Sequence, residues 1–135
     1  MTSSFKIVKC EKQYWEFVRL LRIDVRVSDG FVNKSDISKD QQVVYMEQFS
    51  HNYRVALLED KPVGFFGVIG DDIRICVHPD YQNQGIGKLL VKGCSLIWPN
   101  AVAKIKASNK SSQVLFESCG YQLEFLLYKK PIKSE

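Results

Sequence analysis

The chain has 135 residues, 45% of them hydrophobic and 25% charged, with a formal net charge of +4. That balance fits one globular domain over residues 1–135, large enough to bury a core of its own. No apolar run reaches the roughly 18 residues needed to cross a bilayer, and the opening MTSSFKIVK lacks the apolar stretch of a secretion signal, so a cytoplasmic chain with no membrane partner is expected.

In chain order, residues 5–10 alternate as a first strand, and residues 11–23 carry Tyr14, Trp15, Val18 and Leu21 at helical spacing. Residues 24–39 are polar, with Gly30 and little periodicity, and read as a loop or broken helix. Ser38 followed by Gln41 is a capping box that opens a second helix ending near Ser50, with Val43, Val44, Met46 and Phe49 as its apolar face. From Tyr53 the pattern changes to apolar runs broken by turns: YRVALLE, Glu59-Asp60-Lys61-Pro62, VGFFGVIG, Gly70-Asp71-Asp72 and IRICV. These predict an antiparallel meander of three strands. A helix from Gly85 to about Trp98 follows, stopped by Pro99-Asn100. Then come a strand over residues 101–108, a helix over 111–119 and a last strand over 121–130. The fold class is therefore α+β, with a mixed, mostly antiparallel sheet flanked by helices.

The positive charge is spread along the chain, with one excess at Lys129, Lys130 and Lys133 and no aromatic-basic alternation, so no nucleic-acid partner is expected. Cys10, Cys76, Cys94 and Cys119 show no C-x-x-C spacing and sit in apolar patterns. They read as buried free thiols, and no metal site is expected.

The stretch VHPDYQNQGIGKLL, residues 77–90, carries the most chemistry. A strand ending at His78-Pro79 and a helix starting near Gly85 leave unpaired N–H groups at the helix start, where the helix dipole is positive. Gly85 and Gly87 would admit a ligand close to the main chain. The spacing lacks the first glycine of G-x-G-x-x-G and the Gly-Lys-Ser/Thr of a P-loop, which excludes both nucleotide motifs.

What remains resembles motif A of the GNAT-family N-acetyltransferases: a strand ending in V-x-P, then Q-x-x-G-x-G, then an amphipathic helix. Asn109, Ser112, Phe116, Gly120 and Tyr121 fall in register with the family's motif B. The resemblance extends over nearly the whole element order. It implies acetyl-CoA as cosubstrate, no metal, and a small-molecule amine as acceptor, in a monomer or homodimer. The main chain of Ile75, Cys76 and Val77 would bond the pantetheine arm. Gln82, Asn83, Gln84, Gly85, Ile86, Gly87 and Lys88 would wrap the pyrophosphate, and Asn109, Ser112 and Phe116 would border the thioester.

Acetyl transfer by direct attack in a ternary complex needs a neutral amine, oxyanion stabilisation and a route for the thiolate's proton. Asp71 and Asp72, before the central strand, are the expected general-base candidates, with Glu47 weaker. A backbone N–H near Val77 would polarise the carbonyl. The family's usual motif B tyrosine is Phe116 here, which has no proton to give, so Tyr128 or water is the candidate donor. His78 and His51 read as turn residues. No acidic groove for a polyamine or lysine tail stands out, and residues 31–49 resemble family members that acetylate amino sugars on nucleotide carriers. The alternatives are a protein-amine acetyltransferase and a non-catalytic acyl-CoA binding or sensing module.

Overall fold

The computed structural model describes residues 4–28, 31 and 36–132. Its elements are β1 (Phe5–Lys9), α1 (Trp15–Ile23), α2 (Val25–Ser28), α3 (Lys39–Phe49), β2 (Tyr53–Leu58), β3 (Lys61–Ile69), β4 (Asp72–Val77), α4 (Ile86–Ile97) and α5 (Lys110–Ser118). The four strands form one sheet in the order β1-β2-β3-β4, every neighbour antiparallel. The two-residue turn Glu59-Asp60 has both residues at positive φ, which suits the twist of a tight hairpin.

Both faces of the sheet are covered, so the central strand β3 is buried at nearly every position and reads as an apolar run instead of an alternation. On one face, Val18 and Leu21 of α1 and Met46 of α3 pack against Val55, Leu57, Phe65 and Cys76. On the other, Ile86, Leu90 and Cys94 of α4 pack against Ala56, Val63, Phe66 and Val68. Cys10, Cys76 and Cys94 are buried free thiols, and Cys119 is partly exposed.

Helix α3 begins as its capping box requires: the Ser38 side chain accepts from the Gln41 N–H, and the Gln41 side chain accepts from the Ser38 N–H. Of its expected apolar face, Met46 is buried and Phe49 packs against the core, but Val44 does not. Val44 is 70% exposed, while Gln42 is buried beside Met46 and its Nε2 donates to the Trp15 carbonyl at 2.9 Å. A polar residue with its amide donor satisfied and its Oε1 buried without a partner therefore occupies a core position that hydrophobicity alone assigns to a neighbour. The loop or broken helix expected over residues 24–39 holds α2, and residues 29–30 and 32–35 lie outside the described residues.

Two expected strands are absent as strands. Residues 101–108 touch the sheet at one parallel bridge, Val102 to Asp72, made by Ile73 N–H to the Val102 carbonyl at 2.9 Å and Val102 N–H to the Asp71 carbonyl at 2.8 Å. Beyond it the segment parts from β4. Residues 121–130 pair with nothing among the described residues. Alternating side chains show which residues share a face, but a strand also needs a free main-chain edge. The β4 edge is already flanked by residues 103–105 across a gap.

Candidate active site

The gap between β4 and residues 103–105 is a cavity of about 180 Å³. One side is bounded by Arg22 of α1, Phe31, Asp72 and Arg74, the other by Asn109, Ser112 and Phe116. The phase of the β4 ladder decides which main-chain groups open into it. His78 N–H donates to the Val63 carbonyl at 2.8 Å, and residues of an antiparallel strand bond alternately inward and outward. Arg74 and Cys76 therefore bond β3, while Ile73, Ile75 and Val77 turn outward. The outward bond of Ile73 to Val102 agrees. Ile75 is left with open main-chain groups, and Val77 with an open N–H; its carbonyl accepts from Gln82 Nε2 at 3.3 Å. The expectation that the Cys76 main chain faces the gap is corrected: its N–H and C=O are directed at Phe65.

After β4, His78 Nδ1 accepts from Asp80 N–H at 3.1 Å and caps a short 3-10 turn over Pro79–Tyr81. Its role is to fold the turn, and His51 is an exposed turn residue as well. The chain then passes through Asn83, at φ 64°, to Gly85, at φ 82°, where α4 starts. No backbone acceptor among the described residues meets the N–H groups of Asn83 to Lys88. A Cβ on Gly85 would meet nothing within 4 Å, so the space in front of these donors is open. Consecutive N–H groups without a backbone acceptor thus form a cradle at the positive end of α4, a geometry that suits an anion. Lys88 is exposed at its rim. Ile86 buries its side chain in the core and turns only its main chain to the cradle, and a Cβ on Gly87 would lie 3.2 Å from Leu115, so Gly87 also serves the packing of α4 on α5.

The amino end of α5 is capped by Asn109, whose Oδ1 accepts from Ser112 N–H at 3.2 Å and from the Ser111 hydroxyl at 3.1 Å. That cap holds Asn109 and Ser112 at the cavity. Phe116 is buried there, edge-on to Tyr121 at 5.1 Å between ring centres. Gly120, at φ 93°, ends the helix.

The two aspartates separate by register. Asp71 is exposed in the turn, and its carbonyl serves the Val102 bridge. Asp72 lines the cavity: Oδ2 lies 3.3 Å from Lys104 Nζ, and Oδ1 is buried without a hydrogen-bond partner. Tyr128 does not reach the cavity; it is 87% exposed on the C-terminal segment, which corrects its expected role as proton donor. Glu47 is exposed on α3 and is not part of the lining. The Cys76 thiol, the cysteine of β4, is pushed up to about 12 by burial, so it stays protonated at neutral pH. Arg74 and Lys104 were not legible from the sequence, and Arg22 was legible only as one charge of the acceptor-side segment 22–53. The two-residue period from Asp72 was the one signal available for Arg74.

Residues 49–123 match the Acetyltransferase (GNAT) domain, and the chain belongs to that acetyltransferase family. It is 27% identical over 66 residues to the peptidyl-lysine N-acetyltransferase YjaB of Salmonella typhimurium, a match spanning 48% of this chain and only 46% of that protein. The fold is similar to spermidine N-acetyltransferase from Vibrio cholerae, solved with CoA and spermine, at TM-score 0.80 and 17% identity over 93% of this chain and 85% of that one. It is also similar to yncA, a putative acetyltransferase from Salmonella typhimurium solved with acetyl-CoA, at TM-score 0.76 and 18% identity over 90% and 81% of the two chains.

Proposed function

We propose that this protein is an acetyl-CoA-dependent N-acetyltransferase acting on the primary amine of a small molecule. The observation that carries the reading is the continuity of the open β4 edge with the N–H cradle of residues 83–88. One extended ligand with amides at one end and phosphates at the other fits both. Ile75 and Val77 would pair with the pantetheine amides as an added strand would. The loop would hold the pyrophosphate, and Asn109, Ser112 and Phe116 would border the thioester.

Acetyl-CoA, when bound, supplies an activated acyl carbon and a thiolate leaving group. Asp72 Oδ1 is positioned to take the proton of the attacking amine as the C–N bond forms and the C–S bond breaks. Lys104, 3.3 Å from Oδ2, occupies that oxygen and leaves Oδ1 for the acceptor. An outward N–H of β4 would stabilise the developing oxyanion. The departing thiolate, with a reference pKa near 8.5, needs no side-chain donor, in keeping with Phe116 at that place. The protonated thiol of Cys76 is a poor nucleophile, which favours direct attack over a covalent acyl-cysteine.

Replacing each aspartate by Asn tests the assignment through acetyl-CoA consumption followed as free thiol. Asp72→Asn is expected to lower kcat by about 10²–10⁴-fold with coenzyme affinity retained, and Asp71→Asn to change it little. Equal, small effects would remove Asp72 from the chemistry. Coenzyme binding without turnover on any amine would favour the non-catalytic module.

A further inference from the structure

Among the described residues, the charge lining the acceptor side of the cavity is unbalanced: Arg22, Arg74 and Lys104 face one carboxylate, Asp72, which is already paired with Lys104. Arg22 Nη1 is buried without a hydrogen-bond partner, and the guanidinium lies 5.6 Å from the centre of the Tyr45 ring, which orients it without neutralising it. No carboxylate among the described residues forms an ion pair with Arg22 or Arg74; the nearby Asp24 is held by Arg26 at 2.7 Å. Neither arginine has the phosphate cradle as its partner. Arg74 lies three residues before Val77, about 10 Å along the strand, and the cradle begins only beyond the following turn. Two guanidinium groups beside an unoccupied carboxylate oxygen describe a site for a ligand carrying both signs.

We propose that the acceptor is an amine bearing its own anionic group, a carboxylate or a phosphate, with the amine at Asp72 and the anion held by Arg22 and Arg74. This rests on the acetyltransferase reading and narrows its substrate class. A polyamine or a lysine side chain would bring only positive charge to a lining that already has an excess of it. A planar guanidinium meets either oxyanion with paired N–H donors, so carboxylate and phosphate share one chemistry here.

The test compares acceptors in matched pairs, with acetyl-CoA present and free thiol as readout: α-amino acids against their amides, phosphorylated or nucleotide-linked amino sugars against the free amino sugars, and spermidine alone. The expected result is a kcat/KM about tenfold or more higher for the anionic member of at least one pair. The pair that responds tells carboxylate from phosphate. Arg22→Met and Arg74→Met should erase that preference mainly through KM, and the Lys variants should keep part of it. Equal use of both members in every pair, or a preference for spermidine, overturns the inference without recourse to any variant. Calorimetric binding of the same pairs to the protein saturated with CoA reads the preference without acetyl transfer. Failure of turnover in every pair would therefore count against the acetyltransferase reading, and equal binding of both members against this one.

Discussion

Gly85 and Gly87 stand two positions apart in one motif and do different things. Gly85 has a left-handed conformation and faces open space, whereas Gly87 has the side chain of Leu115 where its Cβ would be. Only at Gly85 does the missing side chain open the space in front of the cradle. Gly85→Val should strain the loop by about 1–2 kcal/mol and fill the volume in front of the N–H groups. The variant should remain folded, melt somewhat lower, and lose the thermal stabilisation that acetyl-CoA gives the unaltered protein. Stabilisation of both proteins to the same extent would show that the loop does not hold the phosphates. The motif spacing pointed to the open N–H groups of this loop. The division of labour between the glycines was not legible, because spacing carries no information about what lies across from a residue. Asp71 and Asp72 teach the same point, since one position of register sends one carboxylate to solvent and its neighbour to the cavity.

The contact between α4 and α5 positions Asn109 and Ser112 relative to the cradle. Gly87→Val would force its branched side chain into Leu115 and should cost about 1–3 kcal/mol in urea unfolding. Placed in a Leu115→Ala background it should cost clearly less, since the colliding atoms are gone. Strictly additive effects would mean that α5 does not pack there. The meander, the capping box at Ser38 and the helix stop at Gly120 were all readable, because each is specified by a few adjacent residues. The face of α3 was misread through Gln42, whose hydrogen bond to Trp15 joins residues 27 positions apart. Residues 101–108 were misread because main-chain pairing depends on how far the neighbouring helix holds the segment from β4.

Across the molecule, the core lies on the two faces of a four-stranded sheet, and the C-terminal segment contributes little to it. Phe125 is 83% and Leu127 93% exposed. Replacing either with Ala should change unfolding free energy by no more than about 0.5 kcal/mol, measured by urea titration. A loss of several times that would mean the segment is packed in solution, on its own chain or on a second copy. The sequence pattern of this segment suits a strand, but residues 121–130 join neither edge of the sheet. If a single coenzyme spans the β4 edge and the loop at the start of α4, amide chemical shifts followed during an acetyl-CoA titration will trace its path. The largest shifts are expected at Asn83 to Lys88 and at Ile75 and Val77, with Cys76 less affected because its N–H is turned toward β3. Shifts confined to α1 and α3, or none at all at saturating coenzyme, would contradict that path.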